Sequence, residues 1–194
     1  MFNPLTLTIG PGETKTIMGP SGCGKSTLLA AVAGSLDPVF SFHGDILLNQ
    51  QNLNQIPMEQ RNIGMLFQDD LLFPHMSIGA NLSFGIPHSI KGPERDEMVR
   101  KALGTAGLDG YENRDPATLS GGQKARVSLL RSLLAGPSAL LLDEPFSRLD
   151  QKLKEKIRAF VFSQVKAMNI PALLVSHDPD DCPAGGTIIH LVED

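Results

Sequence analysis

"GPSGCGKST", residues 19–27, decides the fold. It has the spacing G-x-x-x-x-G-K-[ST], and it lies between the strand-like run TKTIM (14–18) and STLLAAVAG (26–34), which reads as a helix closed by a glycine. A strand that turns through glycines into a helix aims backbone N–H groups and the positive end of the helix dipole at one point, which suits a phosphate group. The same motif gives each position a role. The amides of Ser21 to Ser26 face a β-phosphate, Lys25 bridges β and γ oxygens, and Ser26 is a ligand for Mg2+. Gly19, Pro20, Ser21, Gly22, Cys23, Gly24, Lys25, Ser26 and Thr27 are therefore the first candidate nucleotide-binding residues. The Cys23 thiol, inside this loop, is expected to react with a maleimide and to be shielded by bound nucleotide.

Working outward, LTLTI (5–9) alternates as a half-buried strand does, and PGE (11–13) turns it into TKTIM. GDILLN (44–49) and NIGMLF (62–67) read as further strands, PERDEMVRKALGTAGL (93–108) as a helix opened by proline and acids, and residues 70–135 as mostly helical. Two apolar strands follow, ALLL (139–142) and ALLV (172–175), separated by the charged helical run QKLKEKIRAFVFSQVKAM (151–168). Strand, helix, strand implies parallel pairing. The expectation is one α/β domain over 1–194 with a mostly parallel sheet and an inserted helical part at about 70–135.

Composition bounds the function. With 194 residues, 41% hydrophobic and 20% charged, the chain is long enough for a core. A net charge of -4 with scattered Lys and Arg lacks the basic footprint of a nucleic-acid binder. Two distant cysteines and no basic-then-apolar leader point to the cytoplasm, and no apolar run approaches the roughly 20 residues that cross a bilayer. Any membrane role is expected to come through partner subunits.

Chemistry gathers at strand ends. ALLLDEP (139–145) ends a buried strand in two acids at the carboxyl edge, where open α/β sheets bind ligands. Asp143 suits the Mg2+ shell, and Glu144 suits the water that attacks a phosphate. ALLVSHD brings His177 to the same edge for the γ-phosphate, and NIGMLFQDD ends in Gln68, an amide able to touch Mg2+ or its water. LSGGQKARVSLLRSLLAGP (119–137) supplies a second glycine-led helix start, with Ser120 as an N-cap. One chain thus carries two anion-binding helix starts and a single acid pair.

With these motifs in hand the chain resembles the ATPase subunits of ABC transporters over nearly its whole length. In order it shows a Walker A at 19–27, a Q-loop at Gln68, the signature LSGGQ, a Walker B at LLLDEP, a D-loop at SRLD and a switch histidine at His177. The stretch LFQDDLLFPHMSIGANLSFGI is similar to the matching part of small-solute importers for thiamine, iron, sulfate or polyamines. The resemblance implies a P-loop NTPase with a RecA-like core and an inserted α-helical subdomain, hydrolysing ATP with Mg2+. It implies Glu144, His177, Gln68 and Lys25 as catalytic residues, and Ser26, Gln68 and Asp143 around the metal. It further implies a second copy arranged head to tail, so that Ser120, Gly121, Gly122 and Gln123 serve the partner's ATP while Asp150, also counted with the nucleotide-binding residues, links the two sites. Transmembrane permease subunits and a solute-binding protein complete the implied complex, which places the chain peripherally on the inner face of the membrane.

The alternative class is a cytosolic ATPase of the same type, acting in complex or cluster assembly or in DNA processing. DNA-processing relatives insert long coiled coils between Walker A and signature, and no such heptads occur; no N-K-x-D motif reads a guanine either. The family's adenine-stacking aromatic lies upstream of anything before Gly19, with Phe2 too near the loop to match it, so the first strand and that aromatic are expected to be missing. Leu71, Leu72, Phe73 and Met76, just past Gln68, are expected either to receive a partner's short helix or to pack within the helical part.

Overall fold

The computed structural model describes residues 4–67, 72–147 and 149–191. Gln68, Leu71, Phe2 and Arg148 lie outside the described residues.

In chain order the elements are β1 (Thr14–Met18), α1 (Lys25–Ala33), β2 (Leu47–Leu48), β3 (Gln51–Asn52), β4 (Ile63–Leu66), α2 (Ile78–Gly85), α3 (Pro93–Thr105), α4 (Gly121–Leu134), β5 (Ala139–Asp143), α5 (Gln151–Met168), β6 (Ala172–Ser176) and β7 (Thr187–His190). Among the described residues five strands form one sheet in the order β4-β5-β6-β1-β7, while β2 and β3 make a separate antiparallel pair. β6 pairs in parallel with both β5 and β1, and β1 pairs in parallel with β7. The expected α/β fold with a parallel sheet is what forms. β6 is buried at every position, as a central strand covered on both faces must be.

Sequence and structure part company at LTLTI. Leu5, Leu7 and Ile9 do turn toward the core formed by Ile17, Leu29, Leu141 and Val175, but residues 5–9 are not a strand. Alternation reports which side chains face the core; a strand also needs a neighbour to complete its ladder. GDILLN is likewise cut to the two residues of β2.

The chain divides into two compact units. One comprises Met1–Met65, Ser138–Glu144 and Val165–Asp194; the other Leu66–Pro137 and Pro145–Gln164. The first holds the core around Ile17 and Leu29. The second has its own core, in which Ile78, Leu82, Leu103, Leu108 and Val127 are essentially inaccessible. Arg95 ties the link between α2 and α3 by donating to the carbonyls of Ser83, Ile86, Pro87 and Ile90.

Candidate functional site

The glycine loop is built to approach something closely. Gly22 and Gly24 have φ of 88° and 91°, the left-handed region that side chains avoid. A Cβ on Gly19 would lie 2.6 Å from the Cys23 sulfur, so that position admits no side chain. Gly24 stands at the N-cap of α1 and offers no side-chain cap, which leaves the first turn to an incoming anion. Arg61 secures the other end of α1, donating to the carbonyls of Ala31 and Val32 at 2.9 and 2.8 Å. That contact carries a charge suited to a helix C-terminus.

Lys25 is folded back into the loop. Its Nζ donates to the carbonyls of Gly19 and Pro20 at 2.8 and 2.7 Å, and only 6% of the residue is exposed. The ammonium is thus already inside the cradle, held by weak acceptors that phosphate oxygens can replace. Cys23 departs from expectation. It is 5% exposed and packs into the core with Leu29 and Leu191, so the loop would offer its backbone amide and not an open thiol to a maleimide. A side chain buried at one loop position is the counterpart of backbone presented at its neighbours.

At the end of β5, Ser26 Oγ donates to Asp143 Oδ1 at 3.1 Å, which joins two of the three expected metal ligands. Burial pushes the Asp143 carboxyl above its usual range; the Ser26 hydrogen bond opposes this, the Glu144 charge adds to it, and Lys25 opposes it again. Because its folded pKa exceeds its unfolded one, ionised Asp143 weakens folding fully above the folded pKa, and the penalty vanishes below the unfolded value. Asp143→Asn is therefore expected to raise the melting temperature of the nucleotide-free protein by a few degrees at neutral pH. The gain should shrink as pH falls into the carboxyl range. A melting series across pH checks this, and a lower melting temperature at neutral pH would contradict it.

Glu144, the next residue, has φ of 45°, an uncommon backbone state for a non-glycine residue. Its N–H donates to the Val175 carbonyl at 3.0 Å, and Glu144 Oε2 lies 3.1 Å from His177 Nδ1. The two side chains predicted from separate strand ends therefore meet. Both side chains are partly exposed and so accessible to solvent.

The signature forms its own construction in the second unit. Ser120 Oγ accepts from Gln123 N while Gln123 Oε1 accepts from Ser120 N, a capping box at the start of α4. The S-x-x-Q spacing carries that signal, which goes beyond a cap by the serine alone. A Cβ on Gly122 would fall 2.6 Å from the end of the Leu153 side chain, so any larger residue there would make Leu153 move. Asp150 Oδ1 accepts from Leu153 N at 3.1 Å and caps α5.

The ABC transporter family profile matches residues 2–147. The chain belongs to the ABC transporter ATP-binding family. This cassette is 50% identical over 193 residues to the ABC transporter ATP-binding protein YnjD of Escherichia coli K12, covering 100% of this chain and 89% of that one. It is 39% identical to the Fe(3+) ions import ATP-binding protein FbpC of Brucella abortus, covering 97% of the cassette and 53% of that protein. Against the spermidine/putrescine import ATP-binding protein PotA of Bacillus cereus the identity is 38%, with 92% and 54% covered. The cassette thus spans about half the length of these two import proteins. A solved dimeric ATP-binding cassette in a post-hydrolysis state, bound to ADP and Pi, superposes with a TM-score of 0.77 at 31% identity, covering 95% of this chain and 83% of that one. The cassette is an ATP-binding ATPase with the P-loop NTPase fold.

Proposed function

We propose that this cassette hydrolyses Mg2+-bound ATP to drive a solute importer, working as a head-to-tail pair beneath permease subunits. The observation that carries the catalytic part is the convergence of Lys25, Ser26, Asp143, Glu144 and His177 on the carboxyl edge of one parallel sheet. The donor set fits Mg2+, which is typically held by one or two protein oxygens together with substrate phosphates; here Ser26 Oγ and Asp143 Oδ1 stand side by side. Once bound, the metal would neutralise phosphate charge. Gln68 would contribute an amide to the metal or its water.

ATP hydrolysis then needs three things from the chain. The amides of residues 21–26 and the Lys25 ammonium hold the β- and γ-phosphates and stabilise the charge that builds on the oxygens. Glu144 orients water and accepts its proton as the oxygen attacks phosphorus. His177, in hydrogen-bonding distance of Glu144, holds that carboxylate in place and faces the γ-phosphate. In a second copy, Ser120, Gly121, Gly122 and Gln123 would close over the same phosphates, with Asp150 linking the two sites. Ser120 would exchange its capping partner for the incoming anion.

The import reading draws on FbpC and PotA, which are named as import proteins. Among the described residues no helix is long and apolar enough to cross a membrane, so attachment to the inner face would come through permease subunits. A solute-binding protein would deliver the cargo. The segment past Gln68 supports a docking role in part. Leu72 packs on the core of the second unit, whereas Phe73 stacks edge-on against Phe84 at 4.8 Å with the Arg131 guanidinium 4.9 Å from its ring. Phe84 is 63% exposed, and Pro74 and His75, which follow Phe73 in the chain, are exposed too. A permease's short helix could cover this aromatic pair. Phe84→Asp should abolish co-purification with co-expressed permease subunits while the melting temperature stays within about 2 °C. Retained co-purification would remove this surface from the docking site, and a chain that never captures permease subunits would favour the cytosolic assembly class.

A further inference from the structure

The turn that carries His177 contains a buried polar pair outside the nucleotide-site residues described above. Ser176, the last residue of β6, is 1% exposed, and Asp181, five residues on, is 2% exposed. Ser176 Oγ donates to Asp181 Oδ2 at 2.6 Å and accepts from Asp178 N at 3.0 Å. The turn between them is already closed by local bonds: Asp180 N donates to Asp178 Oδ1 at 3.1 Å, and Asp181 N to the Asp178 carbonyl at 3.0 Å. Burying a carboxylate is costly even when it is hydrogen-bonded. A surface turn needs no such group, so the buried acid calls for a reason beyond the turn.

That reason lies in what the pair frames. His177 is the residue immediately after Ser176, and its side chain is 55% exposed. Its position is set by the backbone on either side. Glu144, its partner at 3.1 Å, is fixed by an N–H bond to the carbonyl of Val175, the residue immediately before Ser176. The end of β6 therefore reaches both, His177 through the chain itself and Glu144, which follows β5, through that hydrogen bond. We infer that the Ser176–Asp181 bond is a positioning device, which closes the His177 turn from its far side and so sets the distance between His177 and Glu144 on which turnover depends. A displacement of about 1 Å in such a constellation can lower a rate by about a hundredfold. The inference rests on the reading of Glu144 and His177 as the hydrolytic pair.

Four single variants of the full chain test it, with ATP turnover measured above a blank without protein, affinity for a fluorescent ATP analogue, and melting temperature: Asp181→Asn, Ser176→Ala, Ser176→Thr and His177→Ala. Asp181→Asn and Ser176→Ala should each lower kcat by about tenfold or more and leave nucleotide affinity within about twofold. Ser176→Thr, which keeps the hydroxyl, should restore most of kcat. Introduced into His177→Ala, Asp181→Asn should change the residual turnover by less than about twofold, because a group that acts only through His177 has nothing left to act on. Should His177→Ala turn over at the parent rate, the reading of the hydrolytic pair itself fails. Should His177→Ala be slow while Asp181→Asn and Ser176→Ala keep the parent kcat, or while Asp181→Asn slows both backgrounds equally, the positioning role is overturned and the pair only holds the fold. If Asp181→Asn does not fold, the comparison of Ser176→Ala with Ser176→Thr decides alone.

Discussion

Glu144→Gln should bind ATP as the parent does and hydrolyse it about a hundredfold more slowly, or slower still. The substitution keeps the size of the side chain and removes the charge and basicity that would draw a proton from water. The groups expected to hold the phosphates, namely the glycine loop, Lys25 and the first turn of α1, are left unchanged. An amide oxygen can still face His177 Nδ1, so the geometry at 3.1 Å need not be lost with the charge. One indirect effect is also expected. The Glu144 charge is among the causes that raise the Asp143 carboxyl, so its removal should let Asp143 ionise more readily and hold metal at lower pH. Phosphate release measured beside fluorescent-nucleotide binding separates the two quantities. A variant with parental turnover would remove Glu144 from the chemistry.

How much of this is legible in the sequence depends on whether the signal is local. The phosphate loop is legible, because glycine spacing, Lys25 and the flanking strand and helix are all encoded within one short run of chain, and α1 ends at Gly34 with the left-handed φ of 85° that a glycine stop implies. Helix α5 matches its expected run of residues 151–168 because one apolar stripe repeats through a charged segment. LTLTI misleads because alternation marks a buried face and is silent about a pairing partner. Cys23 misleads for a related reason: motif membership says which backbone meets phosphate and does not say which way a side chain turns.

Long-range polar contacts are the least visible. Arg61 reaches back to the carbonyls at the end of α1, some 30 positions earlier, and no periodicity announces it. Asp181 looks like one acid among three in DPDD, and only burial distinguishes it from Asp178 and Asp180. The contact of Glu144 with His177 is foreshadowed only as a shared sheet edge. The left-handed backbone at Glu144 that accompanies it has no residue-type signature, since glutamate is not a residue that favours positive φ.

The central claim is that LSGGQ serves the nucleotide of a partner chain, and complementation between two inactive variants tests it most directly. Lys25→Ala removes the ammonium that now bonds the Gly19 and Pro20 carbonyls and would meet phosphate, so the loop loses its nucleotide. Ser120→Arg breaks the capping box at the start of α4 and fills the anion site with a long side chain. Each homodimer then carries two damaged composite sites. In a mixed dimer both lesions fall in one site, and the other joins an intact loop from the Ser120→Arg chain to an intact signature from the Lys25→Ala chain. Random encounter makes about half the pairs mixed, and only these can be held together by ATP, so roughly a quarter of the parental sites should return. ATP-dependent dimerisation, followed by light scattering on the equimolar mixture, is the readout, because hydrolysis recovers less if both sites must fire together. The account predicts that ATP yields dimers in the mixture and in neither variant alone. No ATP-dependent dimers in a mixture of folded, exchanging subunits would contradict it and return the signature helix to its own chain.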